Sequence, residues 1–320
     1  MTTIRDVARQ AEVGVATVSR FLNGGYISDE KKSRVLRAIH ELDFRINEVA
    51  RSLSTGRSKA VGLVIPDLNN PFFPGIIHGV EETCENAGVM VMLAHTAERE
   101  DRVEAVINNL IQRGVDGLIS ASGLENPSSV SVPLVMLDRV SGTSAVDSVR
   151  TDHVQGGMIA TRYLLSKGHR DILFLSGPLQ NTGASLRLQG YAQMMEDAGF
   201  QPRWIEGKRF DFAEGYAIAL ERLKQGETSA IFAGNDLMAL GVVRAAMEIG
   251  LQIPGDLSVI GYDGIDLSAH TTPSLTTVAQ PMYELGKQAA TMVLFRAYEE
   301  SKRVCERVEL TPKLLIRGTA

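Results

Sequence analysis

Two hydrophobic periodicities divide this 320-residue chain, and the change falls near residue 60. Before it, apolar residues recur every three or four positions, the spacing of one helix face. Ile4, Val7, Ala8 and Ala11 form the first stripe, and Val18, Phe21 and Leu22 the second, on a helix from about Val15 to Asn23. Val35, Leu36, Ile39 and Leu42 predict the buried side of a third. The punctuation agrees with this reading. Thr3 is placed to cap the first helix, with Asp6 as its reciprocal partner, and Glu12-Val13-Gly14 interrupts the pattern. Gly24-Gly25 stops the second helix, and Ser28 caps a third whose first turn holds Asp29 and Glu30. Residues 45–59 carry few large apolar groups and end in Ser54-Thr55-Gly56-Arg57-Ser58, a linker composition. Within them, Asn47 to Leu53 reads as a two-turn helix capped by Asn47.

From Ala60 onward, short β-branched runs alternate with helix-length amphipathic segments. Strands are expected at 61–65, 89–93, 117–120, 134–137, 172–175, 230–233 and 259–261. Helices are expected at 74–87, 99–113, 154–167, 185–198, 213–224, 236–249 and 282–300, with a last strand at 313–317. Strand, helix, strand in repetition specifies a parallel α/β sheet, and the number of repeats predicts two of them.

Charge sharpens this division. The net charge of −5 hides an asymmetry: residues 1–59 carry eleven Lys/Arg against seven Asp/Glu, net +4, and the rest carries 22 basic and 31 acidic groups, net −9. A basic head on an acidic body fits a phosphate-binding module tethered to something else. With 44% hydrophobic and 22% charged residues, the composition is that of a globular protein. Met1 is followed by polar Thr2-Thr3 with no hydrophobic signal segment, and no stretch approaches the roughly 18 apolar residues of a membrane span. Cys84 and Cys305 are isolated, without metal-ligand spacing. The expectation is a cytoplasmic protein with reduced thiols, no metal, no cofactor and no membrane partner.

A tight turn between two short helices on a basic module is a helix-turn-helix arrangement, whose second helix enters the major groove. Val15, Ala16, Thr17, Ser19 and Arg20 are then the base-facing residues. Arg20 can pair with guanine, Thr17 and Ser19 are short donors for phosphate or base edges, and Val15 and Ala16 offer methyl contacts to thymine. A plain three-helix cap without DNA binding fits the same periodicity.

The alternating body invites an enzyme reading, but it has no G-x-G-x-x-G after a strand, no P-loop, no G-x-S-x-G elbow and no H-E-x-x-H. No nucleophile is paired with a base, so no catalytic residue is assigned. Open α/β sheets bind ligands at the carboxyl ends of their strands. Asn70, Phe72 and Phe73 follow the first strand, and Asp138-Arg139 the fourth. Arg187, Asn235, Asp263 and Gln280 follow later ones. Aromatics that stack on a ring, beside Asp, Asn, Arg and Gln that bind hydroxyls, make sugar-site chemistry. Each has a structural alternative: Asn235 or Asp236 as a helix cap, Asp263-Gly264 or Asn69-Asn70-Pro71 as a turn, Asp138-Arg139 as a surface ion pair.

Thr3-Ile-Arg-Asp-Val-Ala-Arg-Gln-Ala-Glu-Val13, followed by Ala16-Thr-Val-Ser-Arg-Phe-Leu-Asn23, resembles the head of the lactose/galactose repressor (LacI/GalR) family. Asn47…Ala50-Arg51-Ser52-Leu53 resembles that family's hinge helix, and the likeness runs to residue 317. The resemblance implies an N-terminal all-α helix-turn-helix head and an α/β periplasmic-binding-protein-like body of two Rossmann-like subdomains. Its implied boundaries are 1–46 for the head, 47–59 for the hinge helix and linker, and 60–320 for the effector-binding and dimerisation domain. That domain would comprise an N-subdomain of about 60–158 and 281–310 and a C-subdomain of about 159–280 and 311–320. The DNA-facing set extends to Thr3, Asn23, Ala50, Arg51 and Leu53, with Leu53 wedged into the minor groove at the operator centre. The strand-end residues resemble the monosaccharide-binding positions of the family. The implied function is a homodimeric repressor released from a palindromic operator by a small sugar or sugar derivative. A regulator of the same fold that needs a corepressor or a phosphoprotein partner is the alternative, and a transport solute-binding protein a more distant one. One departure is Gly14, where the family usually has Ser: an N-cap hydroxyl is lost.

Overall fold

The computed structural model describes residues 2–22, 24–44, 56–138, 146–226, 228–299 and 304–320. Contacts divide the chain into two units, Met1–Ser58 and Lys59–Ala320.

In the first unit, helices α1 (Ile4–Gln10), α2 (Val15–Leu22) and α3 (Asp29–Glu41) enclose a small core of Val7, Ala8, Ala11, Val18, Val35 and Ala38. Thr3 and Asp6 form the expected reciprocal cap: Asp6 Oδ2 accepts from Thr3 N at 3.0 Å and Thr3 Oγ1 accepts from Asp6 N at 3.4 Å. Ser28 stands at the N-cap of α3 without a side-chain capping bond. Leu36, expected inside, is 48% exposed, because the buried face of α3 turns Val35 and Ala38 inward instead. The turn between α1 and α2 places Glu12 at φ 49°. Arg34 reaches back from α3 to clamp it, donating from Nε to Ala11 O at 2.8 Å and from Nη2 to Glu12 O at 2.7 Å. One cation of the basic head is thus engaged in holding the turn.

The second unit contains two six-stranded sheets. The first has the order β11-β5-β4-β3-β1-β2, all parallel. It comprises β1 (Ala60–Ile65), β2 (Met90–His95), β3 (Gly117–Ser120), β4 (Leu134–Leu137), β5 (Asp147–Thr151) and β11 (Arg307–Leu310). The second has the order β12-β10-β9-β8-β6-β7, parallel except where β12 joins β10. Its strands are β6 (Ile172–Ser176), β7 (Arg203–Glu206), β8 (Ala230–Ala233), β9 (Ser258–Asp263), β10 (Thr276–Ala279) and β12 (Lys313–Leu315). Central strands such as β1 are buried throughout, which is why they read as continuous apolar runs. The patterning did not predict β5, β7, β10 or β11. Strands β7 and β11 lie toward sheet edges and keep charged residues. In β5, the polar side chains are satisfied by distant partners: Asp147 by a bidentate pair with Arg296, at 2.7 and 2.8 Å.

Helices α4 (Phe73–Asn86), α5 (Val103–Gln112) and α10 (Met282–Tyr298) cover the first sheet. Helices α6 (His153–Ser166), α7 (Thr182–Asp197), α8 (Phe212–Leu223) and α9 (Asp236–Glu248) cover the second. Because α6 packs on α7 and β10, the first crossing between lobes lies at Thr151–His153, a few residues before the boundary near 158 expected from sequence. The other crossings follow Ala279 and Leu310. The three run side by side: Asp152 N donates to Leu310 O at 2.9 Å, and Thr151 Oγ1 to Gln280 Oε1 at 2.7 Å.

Three helix pairs, α4/α10, α6/α7 and α8/α9, each cross on a pair of glycines: Gly79 and Gly286, Gly157 and Gly190, Gly215 and Gly241. A Cβ on any of them would collide with a carbonyl oxygen of the partner helix, such as Ile76 O for Gly286. Backbone cannot rotate away as a side chain does. Gly286→Ala should therefore cost about 1–3 kcal/mol, the usual range for overpacking. A urea midpoint equal to that of the parent protein would disprove this account of the crossing.

Candidate functional site

In the head, Val15 and Ala16 open α2 and are exposed, as is Arg20 one turn later, whereas Thr17 and Ser19 are half-buried. The five residues read from sequence as base-facing therefore lie on one short helix, with its first turn and Arg20 most accessible. Gly24, at φ 73°, ends the helix, and Gly25 N donates to Arg20 O at 2.8 Å. A Cβ at Gly25 would stand 2.6 Å from Arg20 Cγ, so its absence leaves room for the arginine stem. Thr3 is exposed but engaged in its cap. Asn23, Ala50, Arg51 and Leu53, and the hinge helix with them, lie outside the described residues.

In the body, the strand-end residues converge. Asn70, Phe72, Phe73 and Asp138 from the first lobe, with Arg187, Asn235, Asp263 and Gln280 from the second lobe and its crossing, line one cleft. It has an empty volume of about 460 Å³, part of it open solvent. Arg139 lies outside the described residues. Glu98, Ala121, Asn181 and Phe210 also line the cleft and were not read from sequence. Asn181 follows β6 and caps α7, so the strand-end rule could have found it. Phe210 follows β7, an edge strand without an apolar signature.

Several alternatives left open by the sequence are resolved by geometry. Asn235 does cap α9, its Oδ1 accepting from Met238 N at 2.9 Å, while also lining the cleft. Asp236 points elsewhere: its Oδ2 accepts from Gly264 N and Ile265 N, both at 2.8 Å, and fixes the turn that presents Asp263. Asp263 and Asp138 hold φ values of 111° and 62°, left-handed conformations that cost L-residues energy and cluster at functional sites. Asn70 Oδ1 accepts from Phe72 N at 3.0 Å, turning Phe72 and Phe73 edge to face at 5.2 Å. Tyr191 and Tyr262, by contrast, are core side chains.

The cleft concentrates buried charge. Arg187 is 5% exposed; its Nη1 donates to Gly234 O at 2.6 Å, and its guanidinium lies 4.0 Å over the Tyr262 ring. Gln280 Nε2 donates to Asp263 Oδ1 at 2.7 Å, tying Asp263 to the second crossing. Burial opposes ionisation of Asp138, but His153, Arg187 and the N–H of Thr151 outweigh it and hold the carboxyl down to about 2. Burial raises Asp263 to about 7; Arg187 and the Gln280 bond oppose the rise, and Asp138 adds to it. One carboxylate is thus fixed in its charge and the other poised near neutrality, both within reach of one guanidinium. This set can accept hydroxyl protons on two sides of a small polar ring, donate to a third and stack on phenylalanine. It contains no nucleophile paired with a base. Among the described residues, no group of three or more His, Cys, Asp or Glu is placed to hold a metal ion, and no helix is long and apolar enough to cross a membrane.

Comparison with known proteins agrees with both halves. Residues 3–47 match the model for bacterial regulatory proteins of the lacI family, and residues 58–314 match that for periplasmic binding proteins and the sugar-binding domain of the LacI family. The chain is 35% identical to the HTH-type transcriptional repressor PurR of Histophilus somni, over 99% of this chain and 98% of that protein. It is 36% identical to the ribose operon repressor of Escherichia coli over the whole of both. The crystal structure of the Lac repressor dimer bound to operator and the anti-inducer ONPF superposes with a TM-score of 0.89 at 29% identity, over 99% of this chain and 98% of that one.

Proposed function

The chain belongs to the LacI family of bacterial regulatory proteins, and from that premise we propose that its cleft takes a pentose, D-ribose, as the effector that loosens its grip on operator DNA. As a member of the family, the protein is a DNA-binding transcriptional repressor with an effector-binding domain, regulatory rather than catalytic. Such a repressor works in the cytosol, where the bacterial chromosome lies.

The observation that carries the effector reading is the convergence of eight strand-end residues from both lobes on one small cleft. A pentose presents hydroxyls around its whole rim, and every such donor needs an acceptor when water is excluded. Asp138, Asp263, Asn70, Asn235 and Gln280 provide acceptors, and Arg187 provides donors. A purine offers fewer donors to the two carboxylates than the hydroxyl-rich rim of a pentose does. The full-length likeness to a ribose operon repressor supports the same choice. A purine acting as corepressor is the alternative reading, and the two predict opposite effects of ligand on operator binding.

Residues 1–46 are assigned to DNA reading, 47–59 to the hinge and 60–320 to sensing and dimerisation, with Ala50, Arg51 and Leu53 proposed as DNA contacts of the hinge. Two copies would bind a palindrome, as in the Lac repressor dimer on its operator. The effector joins the lobes, and the lobe angle sets how the two hinges meet. This is a two-state element biased by differential ligand affinity.

Calorimetry with D-ribose, other aldoses, hypoxanthine and guanine, paired with gel shifts on a CG-centred palindrome, tests the proposal. Ribose should bind and release the DNA. A purine that binds and tightens the complex would replace this reading with the corepressor one. Retention of the palindrome at unchanged affinity under every ligand would remove the linkage altogether. Within the head, Arg20→Ala should cost about 1–3 kcal/mol of discrimination at one base pair if it reads guanine. An unchanged base preference across operator variants would assign Arg20 to phosphate instead.

A further inference from the structure

We infer that His153 is a positioning residue of the cleft, holding Asp138 of the first lobe and Arg187 of the second in one register so that both meet the same ligand. The inference rests on the cleft being the effector site, and it adds a residue that is not among those lining it.

His153 is the first residue of α6, at the end of the first crossing between lobes, and is 1% exposed. Its two ring nitrogens face different partners. Nε2 lies 2.8 Å from Asp138 Oδ1. Nδ1 lies 3.0 Å from the Tyr262 hydroxyl and 3.3 Å from Arg187 Nε. A guanidinium has donors only. Nδ1 must therefore offer a lone pair, the ring proton sits on Nε2, and Asp138 accepts it. An imidazolium would turn an N–H toward the N–H of Arg187. Burial and the Arg187 charge both disfavour protonation of the ring, against the pull of Asp138, and Arg150 adds a smaller effect in the same direction as Arg187. Asp138, Arg187, Tyr262 and Arg150 are the charged and titratable groups around it, and the net direction is toward the neutral ring.

The surroundings leave the ring little freedom. A Cβ on Gly183 would stand 3.0 Å from His153 Nε2 and 3.3 Å from Arg187 Nη2, and one on Gly156 would overlap the Tyr262 hydroxyl. The imidazole therefore transmits position. Asp138 follows β4 in the first lobe, Arg187 lies on α7 in the second, and the imidazole that contacts both is fixed at the seam. Any change of lobe angle at this crossing acts on the Asp138–His153 hydrogen bond, and with it on the separation of two groups that must grip one small molecule.

The test uses the full chain and D-ribose. His153→Leu should weaken ribose binding about 10–100-fold, the size seen when the partner that orients a binding group is removed. His153→Gln should recover affinity to within about fivefold of the parent, because its amide can donate to Asp138 and accept from Arg187. Asp138→Asn should cost much less in the His153→Leu background than in the parent, because both remove the same alignment. Additive losses, or a Gln variant no better than Leu, would overturn the inference. Nitrogen-15 spectra of the imidazole in the effector-free protein give a reading that needs no ligand. They should show His153 as the neutral Nε2–H tautomer at neutral pH, and still neutral at the pH where an ordinary histidine is half protonated. A ring that protonates near its ordinary value, or carries its proton on Nδ1, would equally overturn it. If ribose failed to bind the parent protein, the pentose reading would fall, and His153 would be judged on its tautomer.

Discussion

Replacing Arg187 with methionine should lower effector affinity by about 2–5 kcal/mol, or roughly thirty- to several-thousand-fold, with operator binding in the absence of effector preserved. The size follows from the surroundings of the guanidinium. Arg187 is almost fully buried, stacks on Tyr262, donates to His153 and Gly234, and neutralises Asp138 and Asp263. Methionine keeps much of the volume but leaves two buried carboxyls without a counter-charge. Each then favours its protonated form, which is a poorer acceptor for a ligand hydroxyl. Calorimetry on the variant decides the matter: an affinity within about threefold of the parent would take Arg187 out of the site.

Effector affinity should fall about tenfold between pH 8 and pH 6, and the cause is Asp263. Its carboxyl is raised to about 7, so the ionised fraction drops from about nine-tenths to about one-tenth across that window. A hydroxyl donor binds the carboxylate better than the acid, so the ligand prefers the ionised form and loses affinity as it disappears. The sign for stability is opposite. The folded protein holds this proton more tightly than the unfolded chain, whose carboxyl titrates near 3.8. The effector-free body therefore loses stability as pH rises from about 4 to about 7. The rise in melting temperature produced by saturating effector should accordingly be larger at pH 8 than at pH 6. Asp263→Asn should abolish the pH dependence, and Asp263→Ala should give a repressor that binds operator but is not released. A variant with the parent's pH profile would assign the titration to another group.

Where the cleft was legible in sequence, the reason was topological. A parallel strand delivers its following loop to one end of the sheet, so residues after successive strands gather there whatever lies between them in sequence. Asn70, Asp138, Arg187, Asn235, Asp263 and Gln280 were found by that rule. Phe210 was missed because β7 is a half-exposed edge strand with no apolar run to mark it. The head was read from its caps and stripes, which are local. Leu36 was misplaced because a helical stripe leaves about a residue of freedom in which side faces the core.

Amino-acid order alone determined the helices and the apolar central strands, the basic head on an acidic body, the doubled α/β architecture and the side of each sheet on which polar chemistry collects. All of these follow from contacts between near neighbours or from the handed geometry of the β-α-β unit. Only the tertiary structure decided the rest. Asn235, not Asp236, caps its helix; Arg34 holds a turn; and His153 stands between the two lobes. The physical reason is the same in each case. A buried polar group takes its role from the partner that satisfies it, and for Asp236, Arg34 and His153 that partner lies 15 or more residues away in the chain, at a distance fixed only when the sheets and helices have packed, so that the cap beside Asp236 is left to Asn235.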